Sequence, residues 1–126
     1  MAVTELQDAL LAKALRALEA AAVALEHEDT ETATNRAYYA CFHVARAALM
    51  GEGEQPKTHS GVHNRFALRF VASGRVPVEV ARTLPHVAQV REKADYDAFA
   101  VTDLHAAADL VADAERFVET VRGAVG

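Results

Sequence analysis

The chain has no tryptophan and no isoleucine, one cysteine, three prolines and six glycines in 126 residues. So little glycine and proline leaves too few turns for a sandwich or barrel of short strands. The lone Cys41 excludes an internal disulfide. With no charged-then-apolar leader at the start of the chain, that predicts a reducing, cytoplasmic location. No apolar run reaches the roughly 18 residues needed to cross a bilayer, so no membrane span is expected.

What fills the chain instead is alanine: 28 Ala, with 15 Val and 11 Leu. Hydrophobic residues make up 52% and charged residues 25% of it, which fits a packed globule and excludes a disordered tail. The length suits one core, so residues 1–126 are expected to form a single domain. Alanine is the strongest helix former, and helices are expected to dominate.

The net charge of −5 argues against a general nucleic-acid coat protein, yet the charge is unevenly spread. Between residues 57 and 93, Lys57, Arg65, Arg69, Arg75, Arg82, Arg91 and Lys93 face only Glu79 and Glu92. That segregation predicts either one phosphate-attracting face or groove, or a set of separately solvated basic helix faces.

Thr4 and Gln7 make a capping-box pattern, and Leu6, Leu10, Ala14, Leu18, Ala21 and Leu25 follow on one stripe, predicting a first helix over about 4–27. A polar break over 27–32 leads to a second helix, Ala33 to Met50, stopped by the turn-rich stretch from Gly51 to Pro56. So short a link predicts an antiparallel hairpin. A third helix is expected from about His59 to Ser73, and a fourth from Pro77 to about Tyr96 with a kink or break near Arg82 caused by Pro85. Thr102 is the expected N-cap of a last helix ending at Gly123. The fold class is therefore all-α, an up-and-down bundle of four or five helices.

The second helix is apolar around most of its circumference, so its polar residues are informative. Arg36, Tyr39, His43 and Arg46 fall within a sector of about 80°. A guanidinium does not shed its proton, and an unpaired one in a core costs several kcal/mol, so this stripe is expected to face a carboxylate, a groove or a partner subunit. One reading is phosphodiester binding with proton transfer at neutral pH, as metal-free RNA cleavage through the 2′-hydroxyl requires. The other is a structural network, with Arg36 paired to an acidic residue and His43 a satisfied core histidine.

Three separated stretches carry a resemblance: Asn35-Arg36-Ala37-Tyr38-Tyr39-Ala40-Cys41-Phe42-His43-Val44-Ala45-Arg46, then Lys57-Thr58-His59-Ser60-Gly61-Val62, then Arg91-Glu92-Lys93-Ala94-Asp95-Tyr96. In order and spacing the chain resembles the HEPN superfamily, in particular its small stand-alone UPF0332-type branch, over nearly its whole length. The resemblance implies a HEPN-like helical bundle that dimerises, often encoded beside a minimal nucleotidyltransferase as toxin and antitoxin. Active ribonucleases of the superfamily carry an Arg, four to six residues and a His. Arg36 with His43 is the literal match here. By chain order the family's catalytic segment begins at Arg91, where Asp95 and Tyr96 stand in place of the histidine.

The expected function is thus a toxin-like HEPN component. Arg36 and His43 are its candidate catalytic pair, Lys57, His59, Arg91, Arg46 and Tyr39 its candidate RNA- or phosphate-binding residues, with His43 or His59 moving the proton. RNA or a nucleotide, a nucleotidyltransferase antitoxin and a second copy of the chain are the expected partners, and no cofactor is expected. The alternatives are a non-catalytic module that holds a nucleotide or a nucleotidyltransferase on the same face, and a purely structural homodimer.

Several features have plainer readings. His59 and His63 stand at a spacing that can share a metal, but further ligands are missing, so no metal site is expected. Thr58 or Ser60 is expected to cap the third helix, leaving its amides beside Lys57 and His59. Arg91 and Asp95 have the spacing of a helical salt bridge. Cys41 reads as inert packing, and Tyr38, Phe42, Phe66, Phe70, Phe99 and Phe117 as core or dimer-interface aromatics.

Overall fold

A computed structural model describes residues 3–125. Among them lie six α-helices, α1 (Val3–Glu26), α2 (Thr30–Gly51), α3 (His59–Phe66), α4 (Val78–Ala81), α5 (Thr83–Tyr96) and α6 (Leu104–Ala124), and no strand. A π-helical turn, Ala67–Val71, continues α3. The result is the all-α bundle that the alanine-rich composition predicts.

Helices α1 and α2 form a hairpin across only His27, Glu28 and Asp29. Glu28 takes the left-handed conformation, φ 57°, that turns the chain. The break is shorter than its polar composition suggests, because Asp29 caps α2: its carboxylate accepts from the Thr32 amide at 3.1 Å, and Thr30 to Thr32 become the first turn. The expected capping box at the chain start is not formed. Thr4 lies within α1, and the Gln7 side-chain amide donates to the Ala47 carbonyl on α2 at 2.9 Å. A Cβ at Gly51 would sit 2.7 Å from Gln7 Nε2, so a larger residue there would displace the end of that flexible side chain from its contact.

Small side chains let the first two helices approach closely: Ala14, Ala17, Ala21 and Ala24 share one core with Ala33, Ala37, Ala40, Ala45 and Ala48. Helix α2 packs against α1, α3, α5 and α6, so it is the central element. Phe66, Phe70, Phe117, Leu49 and Val121 complete that core. Phe99 does not join it; at 93% exposed it stands on the α5–α6 connection, where the Asp97 side chain turns the backbone by accepting from the Phe99 amide.

The expected break near Arg82 is present, and it separates α4 from α5. It also moves Pro85 into the first turn of α5, where a missing amide hydrogen costs no helical bond. Gly74, with φ 78°, ends the segment begun by α3. At α6 the cap is Asp103 and not Thr102: its carboxylate accepts from the Ala106 amide at 2.7 Å. A carboxylate at that position also complements the helix dipole.

Candidate functional site

Every part of the α2 surface from Ala33 to Met50 is buried except a narrow strip. Asn35, Arg36, Tyr39, His43 and Arg46 are its half-buried members. The strip predicted from helical angles is therefore the side of α2 that reaches solvent. Neutralisation by carboxylates is not what holds its cations. The Arg36 Nε and Nη2 groups donate to Asn35 Oδ1 at 3.1 and 2.8 Å, and its guanidinium carbon lies 5.2 Å from the Tyr39 ring centre. Arg46 lies 5.9 Å from the Phe42 ring. Among the described residues no carboxylate is within ion-pair distance of Arg36, Arg46 or Lys57.

Tyr39 is the hub of the surface. Arg36 lies at one part of its ring, Arg91 of α5 sits 5.7 Å from its centre, and the His43 and His59 rings pack at 5.8 and 6.2 Å. His59 in turn stacks on Phe42 at 4.2 Å. All seven candidate site residues, Arg36, Tyr39, His43, Arg46, Lys57, His59 and Arg91, thus lie on one connected surface, although they come from α2, the α2–α3 connection, the start of α3 and α5. His59 separates two open grooves. One, of about 490 Å3, is lined by Phe42, Arg46 and Lys57. The other, of about 500 Å3, is lined by Tyr38, His63, Gln89 and Arg91.

Two residues absent from the sequence-derived site belong to it. The Tyr38 ring is buried as core, but its hydroxyl lies 2.7 Å from His59 Nδ1 and 3.4 Å from His63 Nε2. Arg91 covers the same ring at 4.5 Å. The His59 and His63 rings, four positions apart on α3, converge on one phenol. Among the described residues no group of three metal-ligating side chains forms.

Burial sets the protonation of these groups. It drives the Tyr38 phenol up to about 12, against the opposing field of Arg91, so the phenol stays protonated. Burial also lowers His59 and His63, helped by Arg91 in both and by Arg46 at His59. His43 is held lowest, at about 4, by desolvation and then by Lys13, Arg46 and Arg36. All three imidazoles are therefore neutral at pH 7. His43 Nδ1 and Arg91 Nε are buried without a hydrogen-bond partner.

The basic segment 57–93 does not form a single face. Arg65 and Arg69 both grip Glu54, and Arg75 grips Glu52 while also donating to the Ala124 carbonyl at 3.0 Å. These arginines brace the α2–α3 connection, and the Arg65 bond in particular holds the Glu54 carboxyl below its ordinary range. Arg91 does make the expected bridge to Asp95, at 3.3 Å. Thr58 caps α3 by accepting from the Gly61 amide at 2.9 Å. Cys41 is buried and its thiol is pushed up by that burial, as inert packing requires.

Fold and surface together define a small all-α bundle domain whose central helix exposes one cationic and aromatic strip. The chain belongs to the HEPN family, whose domain model matches residues 7–124. It is 35% identical over 117 residues to a protein of Methanocaldococcus jannaschii named "Putative toxin", spanning 93% of this chain and 87% of that one. A UPF0332 protein of Gloeobacter violaceus is 33% identical over 90 residues, 71% of each chain. A UPF0332 protein of Thermotoga maritima is 29% identical over 109 residues, 86% of this chain and 83% of its own. None of the described helices is long and apolar enough to cross a membrane.

Proposed function

We propose that this HEPN protein is a toxin-like component that binds single-stranded RNA or a nucleotide along the α2 strip and cleaves RNA without a metal. One observation carries the reading. Arg36, Arg46 and Arg91 rest on the faces of Tyr39, Phe42 and Tyr38, and the first two have no carboxylate partner among the described residues. Alternating cations and aromatic faces suit a backbone of phosphates with unstacked bases. In this reading Arg36, Arg46, Lys57 and Arg91 hold phosphates and Tyr39 offers a ring edge to a base. His43 and His59 are the imidazoles available to move a proton. In this reading the protein acts as a homodimer, with a minimal nucleotidyltransferase as its antitoxin; the relative named "Putative toxin" supports the toxin part of that setting.

Purified protein is expected to degrade single-stranded RNA in EDTA. Arg36→Ala and His43→Ala test the literal Arg and His pair: loss of cleavage with an unchanged fold supports it, and cleavage surviving both substitutions removes that pair from the site. A second reading has its own observation. Asp95 occupies the place of the family's histidine and is bound to Arg91, which favours a non-catalytic module that holds a nucleotide or the nucleotidyltransferase. That module gives a ligand-induced thermal shift without turnover.

A further inference from the structure

The α2–α3 contact contains three proton carriers in a row, and only the end members open to solvent. His59 is exposed, and its Nδ1 meets the Tyr38 hydroxyl while its Nε2 makes no hydrogen bond among the described residues. His63 meets the same hydroxyl through Nε2, and its Nδ1 is neither buried nor bonded. A hydroxyl donates one hydrogen and accepts another, so two arrangements satisfy this chain. In the first, His63 Nε2–H donates to Tyr38, Tyr38 donates to His59 Nδ1, and His59 carries its hydrogen on the outward Nε2. In the second, His59 Nδ1–H donates to Tyr38, Tyr38 donates to His63 Nε2, and His59 Nε2 is a bare base.

We propose that Tyr38, His59 and His63 form a proton relay in which His59 Nε2 is the catalytic end, Tyr38 and His63 are positioning residues, and water exchanges protons at His63 Nδ1. This rests on the RNA-cleaving reading above for its use, though not for its existence. In the second arrangement His59 Nε2 takes the proton of a ribose 2′-hydroxyl. The His59 Nδ1 hydrogen passes to the Tyr38 oxygen, the phenol hydrogen to His63 Nε2, and the His63 Nδ1 hydrogen to water. The 2′-oxygen bonds to phosphorus, the bond from phosphorus to the 5′-oxygen breaks, and that oxygen takes a proton from water. The products are a 2′,3′-cyclic phosphate and a 5′-hydroxyl.

The surroundings suit this traffic. Arg91 lies over the phenol ring with a buried, unpartnered Nε, and Arg46, Lys57 and Glu92 are the other charged groups lining the two grooves beside His59. Desolvation keeps both imidazoles neutral and the phenol protonated near pH 7, as carriers that both donate and accept must be.

Nitrogen NMR of the full-length protein, without RNA, reads the tautomer of each ring. His63→Gln is expected to change the His59 tautomer ratio by roughly five-fold, the equivalent of one net hydrogen bond. In a Tyr38→Phe background the same substitution is expected to leave His59 unmoved. An equal response in both backgrounds means that the phenol does not carry the coupling, and overturns the relay. Should Tyr38→Phe fail to fold, His63→Gln alone decides: an unchanged His59 ratio overturns the relay. In the RNA assay, Tyr38→Phe is expected to lower kcat by about 100-fold or more and shift the acid limb of the pH profile, with KM held. An effect confined to KM overturns the role in proton transfer. Wild-type protein that shows the coupling without cutting RNA refutes the cleavage reading and supports the relay.

Discussion

Cations that already hold a carboxylate release few counterions on meeting a phosphate, and unpaired ones release more, so salt dependence separates the α2 strip from the rest of the basic segment. Four cations are available on the strip and beside it: Arg36 and Arg46 on α2 and Lys57 next to them, which have no carboxylate among the described residues, and Arg91 of α5, whose 3.3 Å bridge to Asp95 is long. For a single strand, log K falls with log salt by about 0.7 per phosphate neutralised, giving a slope of about −2.8. Binding should then weaken by about 50-fold between about 50 and about 200 mM salt. The double variant Arg36→Ala, Arg46→Ala is expected to halve the slope, to about −1.4, and to lose only about seven-fold over that range. Fluorescence anisotropy of a labelled uridine-rich RNA, titrated at several salt concentrations, measures both. The control is Arg75→Ala with Glu52→Ala, which removes a paired cation together with its carboxylate and should leave the slope unchanged. A double variant with the wild-type slope, or a control that flattens it equally, would refute the assignment of the phosphate face.

His43 is expected to titrate near pH 4, well below an ordinary imidazole, because burial and three neighbouring cations disfavour its charged form. Its unfolded value is near 6.5, so between the two values the unfolded chain binds more protons and stability falls as the pH drops. The Tm should decline through that window, less steeply in His43→Leu; an NMR titration midpoint near 6.5 would disprove the burial argument. Leu49 is fully buried, and Leu49→Ala is expected to cost about 2–5 kcal/mol in urea unfolding. Phe99→Ala, at a side chain 93% exposed, should stay within about 0.5 kcal/mol, and a core-sized loss there would contradict the placement of the α5–α6 connection.

The parts of this molecule that can be read from sequence are those set by local periodicity. The polar strip of α2 is an example: a buried helix leaves one side for its costly residues, so spacing alone brings Arg36, Tyr39, His43 and Arg46 together. Caps are less legible, since the run from Asp29 to Thr34 offers several competing oxygens and only tertiary packing selects Asp29. The same holds for Thr102 and Asp103. Long-range polar pairs leave no periodic trace. Glu54 meets Arg65 and Arg69 from the far side of a turn, and the Tyr38 hydroxyl meets rings 21 and 25 positions away. A tyrosine at a buried helical position reads as an apolar ring, and the oxygen at its tip is the part that matters. Phe99, read as core or dimer interface, is the reverse case: it stands outside the core, and an aromatic letter gives no warning when the chain carries it there.

The location of the strip on the most buried helix has a physical consequence for any ligand that it takes. Guanidiniums on a frayed surface helix would lose side-chain entropy on ordering around a phosphate. Those on α2 are already placed by Tyr39, Phe42 and Asn35 over a backbone locked by four neighbouring helices. The arrangement also has a cost. An unsatisfied buried donor or acceptor costs about 1–3 kcal/mol, and His43 Nδ1 and Arg91 Nε are two such atoms beside the same tyrosines. That cost is set against the alanine-lined packing of α1 on α2 and the Phe66, Phe70 and Phe117 cluster, a core on which Tyr39 also packs. Half-buried guanidiniums held on aromatic faces beside neutral imidazoles are the arrangement that the proposed RNA-binding role asks of this surface.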